Sequence, residues 1–173
     1  CLSSAASDVY KRQVLVDNKH PLAAIRGALN AVLVEGENIN QLVFSGPGAG
    51  SAPTASAIIG DVLSACHQMV TSQTNWYPLR TPKSGNKEFK DVQSSWFIRL
   101  SVKDEPGVLA TIAGLFGENN VSIESVIQEG RGDNAELVLV THEAEEDNLN
   151  SSIESISNLS SVSSVTSTIR VYI

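Results

Sequence analysis

The chain contains 173 residues, of which 42% are hydrophobic, and it carries a formal net charge of −7 at pH 7. This length gives room for one full domain and part of another. No run approaches the ~20 apolar residues of a membrane span, and the acidic balance disfavours a phosphate backbone, so we expect neither a membrane nor a nucleic-acid partner. Two cysteines, Cys1 and Cys66, give no disulfide framework, and His20, His67 and His142 are scattered. The composition therefore predicts a cytoplasmic protein without a metal site.

The chain opens on the segment Cys1 to Gln13, which is similar to translated sequencing-adapter read-through. We therefore set residues 1–13 apart as a suspected non-native leader and exclude them from fold reasoning. A short surface helix of genuine origin is the alternative interpretation of this segment.

The most informative run is the glycine-rich turn that follows Phe44, where a strand end leads into a helix. Its glycines alternate with Pro47 and Ala49, and they allow positive φ angles and a close approach to another surface. Ser51 is a candidate helix cap, and Pro53 fits the first turn. Free amides at the helix start favour a phosphate or carboxylate. A purely structural turn is the alternative, because the run lacks the Gly-x-Gly-x-x-Gly spacing of a dinucleotide-binding turn.

The helix after this turn carries an apolar stripe at helical spacing, which predicts that it packs against a sheet. The stripe consists of Ala55, Ile58, Ile59, Val62, Leu63 and Cys66. We expect Cys66 to be a packed core thiol on this face.

The residues from about His20 to Ala65 resemble the closing part of the catalytic region of homoserine dehydrogenase. The ordered match consists of His20-Pro21-Leu22, Asn30-Ala31 before a hydrophobic strand, and Gly46-Pro47-Gly48-Ala49-Gly50 with Pro53-Thr54-Ala55 behind it. In that family the chain returns here from the substrate and dimerisation sheet to the nucleotide domain, and the glycine turn lies beside the bound cofactor. The resemblance therefore implies that Gly50 contacts NADP or NAD, with Gly48 and Ala49 as neighbours that supply backbone room.

The same resemblance implies no catalytic residue in this chain. The family's catalytic machinery is an upstream acidic segment that ends in a lysine, plus an N-terminal glycine-rich fingerprint, and neither pattern occurs in these residues. We therefore interpret residues 14–66 as the partial end of a catalytic and nucleotide-binding region and expect the chain to be inactive by itself. Residues 67–94, rich in Ser, Thr, Asn, Pro and Gly toward their middle, read as a linker.

The residues 95–173 predict a complete second unit. Alternating Ile98, Leu100 and Val102 indicate a first strand, and an amphipathic helix follows over about 108–116. Strands over about 121–128 and 135–142 are joined by glycines that suit a hairpin, and a second helix and a last strand complete the order β-α-β-β-α-β. This order places two helices on one face of a four-stranded antiparallel sheet. The predicted fold class is α+β, a ferredoxin-like domain preceded by an incomplete α/β fragment.

This second unit resembles the ACT domain, a regulatory module that binds small ligands, usually amino acids. The residues that carry the resemblance are Asp104-Glu105-Pro106-Gly107-Val108-Leu109 and Glu118-Asn119-Asn120-Val121-Ser122-Ile123. The resemblance implies an amino-acid effector, with L-threonine as the expected one. It also implies a homo-oligomer that forms through the ACT domain and the catalytic region.

An amino acid presents a carboxylate and an ammonium, so it needs backbone donors at a helix start and an acceptor nearby. The candidate effector-binding residues are Asp104, Pro106, Gly107, Val108, Asn119 and Asn120. Asp104 would accept the ammonium, and Asn119 or Asn120 from a paired subunit would complete the hydrogen bonds. The alternatives are that Asp104 only caps the helix and that the asparagines only terminate it.

Two rival functions remain for a domain of this topology. An RNA-binding sheet would display aromatic residues on its central strands and a basic surface, whereas this one has Leu137, Leu139 and net acidity. A freestanding ACT-type regulatory subunit of another amino-acid biosynthetic enzyme has no need of the residues from His20 to Ala65. The resemblance from His20 to Ala65 therefore implies a piece of a homoserine dehydrogenase, an enzyme that interconverts L-homoserine and L-aspartate 4-semialdehyde in the route to threonine, methionine and isoleucine.

Overall fold

The protein is described by a computed structural model over residues 13–71, 92–130 and 135–172. The chain divides into two compact units. One unit is Asn18–Gly85, and the other combines Asn86–Ile173 with the chain up to Asp17. The predicted leader up to residue 12, most of the predicted linker (72–91) and the hairpin connection 131–134 lie outside the described residues.

The first unit contains a two-stranded hairpin and a long helix. A short 3₁₀ helix over Pro21–Ala24 precedes strands β2 (Leu29–Gly36) and β3 (Asn40–Pro47), which pair in antiparallel fashion. Helix α1 follows over Ser51–Thr71. Residues 67–71 of the predicted linker are therefore helical, since the helix continues five residues past its last stripe position.

Helix α1 exposes its apolar stripe. Ile58 and Leu63 are 58% and 64% exposed, and no described residue of the helix is buried. The prediction that this face packs against a sheet is wrong for the part of the chain that the structure describes, and Cys66 is exposed rather than packed. The spacing of apolar residues correctly predicted an amphipathic helix, but none of the described residues covers its apolar face.

The second unit has the predicted β-α-β-β-α-β order. Its elements are β4 (Gln93–Val102), α2 (Val108–Glu118), β5 (Ile123–Glu129), β6 (Ala135–Thr141), β7 (Ala144–Glu145), α3 (Glu146–Ser157) and β8 (Val162–Tyr172). The four main strands lie in the order β8-β4-β6-β5 and pair in antiparallel fashion, which confirms the predicted sheet. The two-residue β7 pairs with the start of β4. A further strand, β1 (Val14–Val16), joins the outer edge of β8 in parallel.

The core lies between one face of this sheet and the two helices. Alternate residues of β4 and β6 point into it, and each helix contributes one apolar side. The fully or almost fully buried members are Ile98, Leu100, Val102, Leu137, Leu139, Ile112, Phe116, Leu149 and Ile156. Both helices therefore cover the same face of the sheet, and no described helix of this unit lies on the opposite face.

The face of the sheet opposite the helices does not contain Leu137 and Leu139, the residues from which the sequence argued against an RNA-binding surface. Leu137 and Leu139 are buried in the core, so they say nothing about a nucleic-acid surface. The adjacent positions Val138 and Val140, together with Phe97, which lies opposite Val140, form the accessible face. The periodicity of two along the strand places these residues there.

Candidate functional site

The glycine turn joins β3 to α1, and its residues Gly48, Ala49 and Gly50 are all exposed. The Gly48 amide donates a hydrogen bond to the Ala28 carbonyl at 2.8 Å, which fixes the turn against the start of β2. Gly50 has a φ of 128°, a conformation that residues with a side chain rarely adopt. The turn is therefore closed by backbone geometry that requires glycine.

Gly50 also begins helix α1. Its carbonyl accepts a hydrogen bond from the Thr54 amide at 3.2 Å and from the Thr54 hydroxyl at 2.7 Å. This makes Gly50 the cap residue, and the prediction that Ser51 caps the helix is wrong, because Ser51 is already its first residue. The amides of Ser51 and Ala52 have no acceptor within the helix, so the start offers two donors to an anionic group.

Asn30 is a residue of this turn that sequence reasoning did not single out. A Cβ atom placed on Gly48 would overlap the side-chain amide of Asn30. The absence of a side chain at position 48 thus makes room for Asn30 within the protein. Gly48 is therefore required by the packing of Asn30. The cofactor contact that the resemblance implies is a separate reason for glycine here, and the exposed turn is compatible with both.

The loop between β4 and α2 contains the predicted effector residues Asp104, Pro106 and Gly107, and Val108 is the first residue of α2. Gly107 is the cap of α2, with φ 94° and no side-chain hydrogen bond to the helix. Its carbonyl accepts the Thr111 amide at 2.9 Å. The alternative that Asp104 caps α2 is therefore wrong.

The Asp104 carboxylate is held from across the sheet. Its Oδ1 accepts a hydrogen bond from Nε2 of Gln128, on the edge strand β5, at 2.9 Å. Gln128 was missed by sequence reasoning because no local pattern links it to a residue 24 positions away. Asp104 keeps its second oxygen available, since a carboxylate accepts several hydrogen bonds.

A small cavity of about 70 Å³ lies between this loop and β5. It is lined by Val102, Lys103, Asp104, Glu105, Gly107, Val108, Leu109, Gln128 and Leu137. Ligand pockets are commonly about 300–1,000 Å³, so this cavity is smaller than a typical ligand pocket. Pro106 is exposed and does not line the cavity.

Asn119 and Asn120 lie at the other end of α2. The Asn119 side chain donates a hydrogen bond to the Leu115 carbonyl at 2.8 Å, so it terminates the helix as the alternative interpretation held. Asn120 has a φ of 57° and lines a shallow groove of about 410 Å³ beside the start of β5. An 11-residue helix is about 16 Å long, so the asparagines and Asp104 of one chain cannot share a small ligand.

Neither a metal site nor a membrane-spanning helix is found among the described residues. Within residues 13–71, 92–130 and 135–172, no group of three or more His, Cys, Asp or Glu side chains is arranged to hold a metal ion. None of the described helices combines the length and the apolar composition that crossing a bilayer requires.

Comparisons with known proteins match both parts of the chain. A family model described as homoserine dehydrogenase matches residues 5–63, and a model described as the ACT domain matches residues 96–161. The first match begins inside the segment that was set apart as a suspected leader. The second falls within the predicted regulatory unit.

The relatives and solved structures agree with these models. The homoserine dehydrogenase of Corynebacterium glutamicum is 36% identical over 163 residues, which cover 91% of this chain and 35% of the relative. That of Bacillus subtilis is 34% identical, over 95% of this chain and 39% of the relative. The crystal structure of a homoserine dehydrogenase from Thiobacillus denitrificans superposes with a TM-score of 0.76 at 28% identity, over 92% of this chain and 37% of that one. The chain therefore spans well under half the length of the relatives it matches.

Proposed function

The chain belongs to the homoserine dehydrogenase family, corresponding to its C-terminal region with an ACT domain, and we propose that it serves the NAD(P)-dependent interconversion of L-homoserine and L-aspartate 4-semialdehyde. The nicotinamide cofactor supplies the hydride acceptor or donor for that reaction. In this proposal the turn Gly48–Gly50 contributes backbone contacts to the cofactor, and the amides of Ser51 and Ala52 face an anionic group. None of these residues takes part in the hydride transfer.

The regulatory part of the proposal is that the loop from Asp104 to Val108 binds an amino acid, with L-threonine as the expected effector. The observation that carries it is the juxtaposition of Asp104, held by Gln128 at 2.9 Å, with the open start of helix α2 at Gly107. Leu109 and Ala110 have no acceptor for their amides within the helix, so they can bind the effector carboxylate. The Asp104 carboxylate then accepts the ammonium.

A second copy of the chain completes this site in the proposal. Strand β5 is an edge of the sheet and carries Ile127, which is 57% exposed. Antiparallel pairing of two β5 strands about Val126 places Glu124 opposite Gln128 and Ile123 opposite Glu129, so no like charges meet. The same pairing places Glu124 of a second subunit beside Gln128, the hydrogen-bond partner of Asp104, so the second copy borders the site.

Thermal unfolding of the chain with L-threonine, L-isoleucine, L-methionine and L-lysine tests the regulatory proposal. A ligand at about 100 times its Kd stabilises the folded state by about 2.7 kcal/mol. We expect a concentration-dependent rise in Tm with L-threonine for the wild type and for the control variant Asp61→Asn, which changes an exposed carboxylate of α1. Asp104→Asn should lose most of that rise. An unchanged Tm with all four amino acids would contradict the proposal.

Cofactor binding, measured beside turnover, separates the enzyme-fragment interpretation from the freestanding regulator. The chain itself should show no turnover of L-homoserine with NAD or NADP, because the acidic segment with its lysine and the glycine-rich fingerprint do not occur in its sequence. Measurable reduction of either cofactor would place the chemistry within these residues. Weak binding of NAD(P) that is lost in a Gly50→Val variant would support a role for the turn, which a freestanding regulator does not need.

A further inference from the structure

Strand β1 extends the regulatory sheet although it lies far upstream in the sequence and outside the residues that match the ACT model. Val14, Leu15 and Val16 pair in parallel with Arg170, Val171 and Tyr172 at the end of β8. Asp17 ends the N-terminal part of this unit, and the unit that contains the hairpin and α1 begins at Asn18. β1 itself lies within residues 5–63, which match the dehydrogenase model, so part of the matched segment forms the edge of the regulatory sheet and the polypeptide continues from there into the first unit.

The residue pairing of β1 with β8 places β1 close to buried side chains of the domain. Val14 lies opposite Arg170, which in turn lies opposite Trp96 on β4. The Arg170 guanidinium sits 4.7 Å from the Trp96 ring centroid and binds Glu146 at 2.7 Å. Since Trp96 is only 5% exposed, β1 docks beside an ordered end of the sheet and not on a surface loop.

The attachment of β1 is nevertheless weak compared with the core. It involves three residues, and the side chains of Val14 and Leu15 are 44% and 43% exposed. The core between β4, β6, α2 and α3 is formed without any residue of β1. Detachment of β1 therefore exposes little apolar surface and leaves the rest of the domain folded, as expected of a segment that opens locally.

The other end of β8 adjoins the loop that carries the proposed effector site. Val162 lies opposite Val102, and the Lys103 amide donates a hydrogen bond to the Ser161 carbonyl at 2.9 Å. Close to this end the pairing of β4 with β8 has two shifts of register, one of them between Ser101 and Val102. Such irregularities are places where neighbouring strands can adjust their twist. A change in the loop after Val102 can therefore reach β8, and through it β1.

We propose that β1 is a releasable link through which occupancy of the Asp104 site is communicated to the segment that begins at Asn18. This inference rests on the proposed function, because the amino-acid effector is the signal. The effector shifts the link only if it binds the docked and the detached states with different affinity. By reciprocity, a variant that detaches β1 must then change the affinity for the effector.

Hydrogen exchange of the whole chain, with and without L-threonine, tests this link. Leu15→Pro removes an amide and fixes φ within β1, so it should detach the strand. We expect the exchange of amides at the end of β8 to rise about tenfold in Leu15→Pro, with Ala135–Thr141 unchanged. The control Leu42→Pro alters a strand residue of nearly equal exposure (44%, against 43% for Leu15) in the other unit and should leave β8 unaffected.

In the wild type, L-threonine should change the exchange of the β1 amides, and Leu15→Pro should shift the Kd for L-threonine by about fivefold. The link would be overturned, and the proposed function left intact, by one combination of results. L-threonine would raise Tm, but the exchange of the β1 amides would not change with L-threonine and the Kd would be the same in Leu15→Pro. If none of the four amino acids raises Tm, the effector function fails and the link fails with it. Unchanged exchange at the end of β8 in Leu15→Pro would show that β1 does not dock there and would overturn the link alone.

Discussion

Gln128 donates a hydrogen bond to Asp104 across the sheet at 2.9 Å, and this contact joins the edge strand β5 to the loop before helix α2. The contact orients the carboxylate without neutralising its charge, because the donor is an amide. It also places the edge at which two copies would pair next to the group that would accept an effector ammonium. The assembly and the ligand are therefore expected to favour each other.

Gln128→Ala should weaken effector binding more than it weakens the fold. Both side chains of this hydrogen bond are exposed, so its loss changes the free energy of unfolding by less than about 1 kcal/mol. The effector Kd should rise about fivefold to tenfold, since the carboxylate loses its orienting partner. Titration calorimetry measures this. The control is Gln41→Ala, which removes a similarly exposed bond to Glu35 in the other unit and should leave the Kd unchanged.

Gly107→Ala should destabilise the regulatory domain through backbone strain alone. A Cβ atom at this position would meet nothing within 4 Å, but φ is 94°. We expect a loss of about 1–3 kcal/mol in urea unfolding. Gly114→Ala is the matched control, because it lies within α2, also meets nothing and has no positive φ. It should be neutral or stabilise by up to about 1 kcal/mol. Equal effects of the two variants would show that the conformation of Gly107 is not strained for other residues.

Gly48→Ala should disturb the turn by displacing the Asn30 side chain, whose amide occupies the space of the added Cβ. We expect faster hydrogen exchange of the amide of residue 48, which is bonded to Ala28 at 2.8 Å. Combining it with Asn30→Ala should restore slow exchange, because the overlap is relieved. Gly46→Ala, where a Cβ would meet nothing within 4 Å, should have no such effect. Failure of the double variant to recover would mean that Asn30 is not the cause.

Arg170→Met should cost more stability than Arg99→Met, although both arginines form ion pairs with a glutamate. The side chains of the Arg170–Glu146 pair are 11% and 25% exposed and adjoin Trp96, whereas those of the Arg99–Glu136 pair are 44% and 43% exposed. We expect losses of about 2–4 kcal/mol for Arg170→Met and less than about 1 kcal/mol for Arg99→Met. Denaturant unfolding measures both. Similar losses would indicate that solvent screens the two pairs equally.

The regulatory fold was predictable because its signals are local. The alternation of Ile98, Leu100 and Val102 and the helical spacing up to Phe116 are visible within short windows of the sequence, and the structure has the predicted order of elements. The three-residue strand β1 was not predictable, because such a short run has no periodicity and its partner β8 lies at the other end of the chain. Its pairing is decided by tertiary contacts alone.

The candidate sites were predictable from the sequence only where the backbone requires a positive φ angle, because glycine marks such positions. Gly50 and Gly107 have positive φ angles, which is why glycine at these turns was informative. Asn30 and Gln128 act across strands, and their roles depend on distances that the sequence does not encode locally. The stripe on α1 was recognised, but whether a surface covers it is a property of neighbouring chain segments and not of the helix.

Titration of the labelled chain with L-threonine, followed by amide NMR, tests the effector site most directly. The account predicts saturable shifts of the amides of Gly107, Leu109 and Ala110 and of the Gln128 side chain, which binds Asp104. The amide of Phe44 in the hairpin of the other unit should not move. Saturable shifts that leave the start of α2 unchanged, or no shifts at all, would contradict an amino-acid site at Asp104.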